Sequence, residues 1–156
     1  MARDARCGQR VPEIVIGASF ARRAVFFVAL ACCAALALAQ DPAATTVQRV
    51  ARDWLQLTDR GDGAASWDAA ARQFKNAAPR EGWVESLRSV RDPLGAVERR
   101  TVLTTTFTRS FPSAPEGDYA IVLFRTSFAK KEDAAESVTL EHEADGAWRV
   151  VGYLIR

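Results

Sequence analysis

A chain of 156 residues that is 49% hydrophobic and 26% charged has room for one globular domain and is neither a disordered nor a low-complexity polymer. Its formal charge of +2 arises entirely near the N-terminus. Five of the 21 Lys/Arg and two of the 19 Asp/Glu lie in residues 1–39, so the remaining segment has 16 basic and 17 acidic residues, which excludes a nucleic-acid surface built on net charge.

The leader has three parts. Arg22 and Arg23 precede an apolar run from Ala24 to Leu38, which closes on Ala37-Leu38-Ala39 before Gln40. A basic segment, a short apolar segment and a small-x-small site form a secretory signal, with cleavage expected after Ala39. The run is shorter than the ~20 residues a spanning helix needs, so a membrane is expected to be involved only if the leader is left uncleaved. The protein is expected to be periplasmic or secreted. Cys7, Cys32 and Cys33 all fall in the leader, so the segment from Gln40 onward contains neither thiol nor disulfide.

Residues 40–156 read as a single α+β domain. Thr45-Thr46-Val47-Gln48 has the form of a capping box, and Val47, Val50, Trp54 and Leu57 recur at helical spacing, predicting a helix over about 46–59 that ends at Gly61. Ser66 is placed to cap a second helix, Trp67–Asn76, which Pro79 ends. A third helix, Trp83–Val90, offers Trp83, Leu87 and Val90, and Pro93 disfavours helix at Asp92.

The period then changes to two. Val97, Arg99, Thr101, Leu103, Thr105 and Phe107 are expected on one face of a strand, with Thr104 and Thr106 on the other. Tyr119–Phe128 is apolar on both faces and reads as a central strand, followed by a solvated loop over Ala129–Ala135. Asp145-Gly146 suits a two-residue type I′ hairpin, which sets Leu140 opposite Val151, Val138 opposite Tyr153 and His142 opposite Arg149. That register turns Val138, Leu140, Val151, Tyr153 and Ile155 inward. It leaves Trp148, Val150 and Leu154 beside Ser137, Thr139 and Glu141 on the outer face. Three helices packed on one face of a four-stranded antiparallel meander is the expected architecture.

The chemistry is sparse. His142 is the single histidine, and without cysteine beyond the leader a zinc site of ordinary composition and a Cys-His nucleophile are both unexpected. No catalytic residue, metal or cofactor is assigned. His142 is either a half-buried residue beside Arg149 or a general base at a pocket mouth, with no carboxylate identified to orient it. Trp54, Trp67, Trp83 and Trp148 either fill a small core or line a cavity in which Arg125, His142 or Tyr153 would fix a small apolar ligand. The outer face with Trp148, Val150 and Leu154 is the expected contact surface, for a homodimer or a protein partner.

Several segments carry a family resemblance: Ser66-Trp67, Trp83, Arg91-Asp92-Pro93-Leu94-Gly95, Pro115-Glu116-Gly117-Asp118-Tyr119, Thr126-Ser127-Phe128 and Gly146-Ala147-Trp148-Arg149-Val150-Val151-Gly152-Tyr153. Over about Val47 to Arg156 the chain resembles the bacterial domain of unknown function 4019. That resemblance implies a small exported or membrane-associated bacterial domain and supplies no catalytic residue. The helix-then-sheet order is also similar to the cone-shaped nuclear transport factor two-like and cystatin-like folds, which host isomerases, dehydratases, ligand binders and assembly modules. The expected function is a non-enzymatic binding or assembly module. The alternative is a cone-fold enzyme of the isomerase or hydrolase kind with its pocket near His142.

Overall fold

The computed structural model describes residues 41–110 and 114–156; the expected leader lies outside the described residues. Helix α1 runs Pro42–Asp59. Asp41, not Thr45, caps it: its carboxylate accepts from the Ala43 N–H at 2.9 Å, and Pro42 occupies the first turn where no N–H is needed. The Thr45 hydroxyl instead donates to the Asp41 carbonyl at 3.2 Å, and Gln48 reaches across to Thr105 Oγ1 at 2.9 Å, so the expected capping box does not form. The buried stripe is Val47, Ala51, Trp54, Leu55 and Thr58, rotated from the predicted one, because Val50 and Leu57 lie at its margin. Gly61 takes φ +74, and the Gly61 and Asp62 N–H groups bond the Thr58 and Leu57 carbonyls, a Schellman ending.

The expected second helix is two helices, α2 Gly63–Asp68 and α3 Arg72–Ala77. Asp62 caps α2 by accepting from the Ala65 N–H at 2.9 Å. Ser66 lies buried inside α2, where its carbonyl accepts from Trp54 Nε1 (2.8 Å) and its hydroxyl from Trp83 Nε1 (2.9 Å). The chain breaks between α2 and α3 because the Ala71 N–H is committed elsewhere, to the Val150 carbonyl at 2.9 Å. Helix α4 spans Arg80–Arg91 and passes into a 3-10 turn, Asp92–Leu94, at Pro93.

Four strands follow: β1 Val97–Thr108, β2 Tyr119–Phe128, β3 Lys131–His142 and β4 Trp148–Ile155. They form an antiparallel meander in the order β1-β2-β3-β4. The described residues are therefore α+β, helices first and a four-stranded sheet after, with four α-helices among them where three are expected. The expected loop over Ala129–Ala135 is mostly strand, since β3 already starts at Lys131.

Two bulges set the faces. On β1 the register slips between Val102 and Thr104, so Arg100 and Val102 share the helix-facing side with Thr105 and Phe107, while Thr101 and Thr104 face out. The uninterrupted alternation expected for β1 is thereby broken, and Leu103, expected on one face with Thr105 and Phe107, falls at the slip and is 52% exposed. Between β3 and β4, Val138 pairs with Tyr153 as expected, but Leu140 pairs with Val150 and His142 with Trp148. The cause is the turn. Gly146 takes φ +82, its N–H bonds the Glu143 carbonyl, and the Glu143 N–H bonds the Ala147 carbonyl, enclosing a three-residue loop instead of two. That displaces the pairing by one residue, and the slip between Thr139 and Leu140 restores it.

The core lies between α1 and the concave sheet face. Val47, Ala51, Trp54 and Leu55 pack on Ala120, Val122, Phe124, Val138, Leu140 and Val150. Each large apolar side chain buried there contributes about 1.5–3 kcal/mol. The sheet curls far enough for Phe107 on one edge strand to meet Trp148 on the other at 6.1 Å, over the small Ala120. No helix among the described residues is long and apolar enough to cross a membrane.

Candidate functional site

Of the residues the sequence singles out for a ligand, only Trp54 and Tyr153 come together. Their rings lie 5.3 Å apart, edge to face, inside a cluster with Trp83 and Phe74: Trp54–Trp83 is 5.9 Å and Phe74–Trp83 is 4.9 Å. These rings fill the space between helices and sheet, so the expected aromatic-lined cavity is a packed aromatic core. What stays open beside it is a groove of about 210 Å³ along Val50, Asp53, Trp54, Leu57, Ala69 and Val150.

The other three are scattered. Trp67 Nε1 donates to the Ala78 carbonyl at 2.7 Å, tying α2 to the end of α3, and Lys75 Nζ stands 5.4 Å above its ring. Arg125 is on the outer sheet face, exposed, 3.2 Å from Asp133. His142 is exposed at the rim, its ring 4.8 Å from Trp148 and its Nε2 3.0 Å from the Gly146 carbonyl. Arg149 does not accompany it: the turn sends Arg149 to Asp145 and Glu143, and the hydrogen bonds that Asp145 accepts from Arg149 and from the Ala147 N–H lower its carboxyl pKa to about 2.

The interface set divides as well. Leu154 is 46% exposed on the outer face, as expected. Val150 is 1% exposed, and Trp148 packs against the core, both turned to the helix side by the three-residue turn and the bulge that follows it. The outer face has instead Ile121, Leu123 and Leu154, with Leu103 and Val151 at the two slips, set among Thr101, Thr104, Thr106, Ser137 and Thr139, with Arg99 and Arg125 toward one end and Glu141 toward the other.

The group that the sequence reading missed is a charged network at the other end of the core. Asp59 ends α1, Arg91 ends α4, Arg100 faces inward from β1, and Glu136 faces inward from β3. The Glu136 side chain is fully buried. Its Oε2 accepts from Arg100 Nε (2.6 Å) and the Thr126 hydroxyl, and its Oε1 from the Tyr153 hydroxyl (2.6 Å). Arg100 also forks onto Asp59 at 2.7 and 2.9 Å, and Arg91 Nη2 donates to Asp59 at 2.6 Å. Arg91 lies over the Phe128 ring at 4.6 Å, a cation–π contact.

Two carboxylates and two guanidiniums cancel, which is the condition under which buried charges are tolerated. Burial opposes the charge on Arg100, yet its bonds to Asp59 and Glu136 outweigh that and hold it more firmly protonated than a free arginine. Burial, with the Glu136 charge and hydrogen bond, pushes the Tyr153 hydroxyl well above its ordinary value, so it stays a donor. Fully buried and accepting at both oxygens, the Glu136 carboxylate exposes no oxygen at the surface. Asp59 and Arg91 open onto a cleft of about 470 Å³ that also includes Arg60, Gly61, Arg88 and Gly95. Among the described residues no three His, Cys, Asp or Glu side chains are grouped to hold a metal ion.

Parity offered one signal for this network. Glu136 has the same inward parity on β3 as Val138 and Leu140, so an acidic residue was due to face the core. Arg100 gave none, since the β1 bulge reverses its face.

No curated protein matches the chain. A 2.5 Å structure from Catenulispora acidiphila is 16% identical, covering 72% of this chain and 88% of that one with a TM-score of 0.46, too slight a likeness to carry any residue's role across. The family model described as "Protein of unknown function (DUF4019)" matches residues 50–153. This protein belongs to the DUF4019 family.

Proposed function

We propose that this chain is a non-catalytic assembly module, exported by its leader, in which two copies pack through the outer faces of their sheets. The observation that carries this reading is the asymmetry of the sheet. Its helix side is filled by the aromatic cluster and the neutral ion network. Its other side is covered at one end, where the chain at Pro115 and Gly117 closes over Tyr119, but no helix among the described residues packs on it, and it exposes Leu103 at 52% and Leu154 at 46%. A twisted sheet with one apolar, threonine-bordered face packs on its own copy as the two layers of a sandwich do, about 10 Å apart. The rim histidine is engaged by Gly146 and Trp148, and no carboxylate bonds its ring among the described residues, so the enzyme reading near His142 gains no support.

Sedimentation of the full chain should reveal association that the pair Ile121→Lys and Leu154→Lys weakens about tenfold or more, since like charges would then face each other across the two-fold. Both positions lie on the outer face, so thermal unfolding should change little. A wild-type protein that stays monomeric, or association indifferent to the two lysines, would overturn the face assignment. Export has its own readout: intact-mass analysis of the secreted form should give a chain beginning at Gln40, and a full-length or lipid-modified product would refute cleavage after Ala39.

A further inference from the structure

Strand β1 has one free edge. Among the described residues it pairs with β2 alone; it is 12 residues long and contains neither Lys nor Pro, two of the residues with which exposed edges are ordinarily blunted. The opposite edge, β4, is shorter, and its Val150 carbonyl is already taken by the Ala71 N–H. Two of the four large hydrophobic side chains exposed among the described residues, Leu103 and Phe107, belong to β1.

We propose that β1 is a second self-association surface, where two copies join edge to edge, antiparallel, into a continuous eight-stranded sheet. The bulge supplies the argument. In a regular strand, setting Leu103 of one copy opposite Thr104 of the other would bring inward residues against outward ones. The slip between Val102 and Thr104 reverses the parity, so from Arg99 opposite Thr108 inward each facing pair shares a side. Val102 and Thr105, both on the helix side, meet each other, and so do Thr101 and Thr106 on the outer side. Both are β-branched pairs, the kind that cross-strand packing favours.

Charge fits the same register. Counted in this register, Glu98 of each copy comes toward Arg109 of the other, just beyond the end of the strand, where Arg109, with 91% of its side chain exposed, would exchange its 3.3 Å ion pair with Asp118 for one across the joint. A strand whose halves complement each other in side and in charge is built for its own copy. The edge contact goes beyond the face-to-face contact and does not need it. Because the pairing keeps sides matched, it would set two outer faces side by side as one surface.

The test uses the full chain with Cys7, Cys32 and Cys33 changed to Ser. Thr101→Cys with Thr106→Cys should form disulfide-linked dimers on mild oxidation. Within one strand those positions are about 16 Å apart and cannot bridge, so any such link joins two copies. Thr101→Lys with Thr106→Lys should weaken this association about tenfold or more, whereas Thr101→Glu with Thr106→Lys should retain it. Both positions are exposed, so all three variants should melt as the parent does. A dimer that persists with Ile121→Lys and Leu154→Lys but is lost with the two β1 lysines supports the edge contact, even if the face contact fails. Absence of the 101–106 link, or association unaffected by the β1 lysines, overturns it.

Discussion

Replacing Glu136 by Ala is expected to lower the unfolding free energy by about 3–5 kcal/mol, read as a fall in the urea midpoint, because it strips a buried network of one charge. Arg100, with 12% of its side chain exposed, would lose its Nε acceptor, and Arg91, already without a hydrogen-bond partner for Nε and Nη1, would lose its second carboxylate at 3.6 Å. The Thr126 and Tyr153 hydroxyls would be orphaned in the same place. Against a typical total of about 5–15 kcal/mol, that loss is large. The double change Glu136→Leu with Arg100→Met should recover most of it, since it removes both members of a pair and leaves Asp59 with Arg91. Equal destabilisation of the single and double variants would mean that Glu136 acts through packing and not through charge.

That expectation also bears on function. A carboxylate, two arginines and a tyrosine inside a curved sheet have the composition of a reaction centre, but here each serves as a partner for the others. The C-terminal ends of α1 and α4 meet at Asp59 and Arg91, and Arg91 completes α4 where a cation is favoured by the helix dipole. The network thus clamps the helices to β1 and β3.

The sequence made the order of elements legible because that order rests on local chemistry. Gly61 ends α1 through a positive φ, Pro93 stops α4, and the two-residue period of Tyr119–Phe128 identifies a strand whose inner side, from Ala120 to Phe128, is fully buried. What stayed hidden depends on partners distant in sequence. Ser66 reads as a cap but serves two tryptophans from α1 and α4. The break between α2 and α3 answers to a carbonyl on β4. The expectation of export rests on residues that the structure does not describe. In the candidate site, Trp54 and Tyr153 were identified from their aromatic character, but no periodicity predicts a bulge, and a bulge decides which side Arg100, Trp148 and Val150 occupy.

The sharpest test of that last point compares neighbours. Val150→Glu is expected to destabilise the fold by about 4 kcal/mol or more, enough to abolish a cooperative transition in a marginal domain. Val150 is 1% exposed, packs with Leu140 and lines the groove with Trp54, so a carboxylate there would lose the apolar burial and gain no partner. Val151→Glu, one residue on, should cost no more than about 1 kcal/mol, because the bulge carries that side chain to the half-exposed outer face. An unbulged hairpin from a two-residue turn predicts the reverse, with Val151 opposite Leu140 in the core. Urea melts of the two variants separate the registers directly: a folded Val150→Glu beside an unfolded Val151→Glu would restore the simpler hairpin and return Val150 to the contact face.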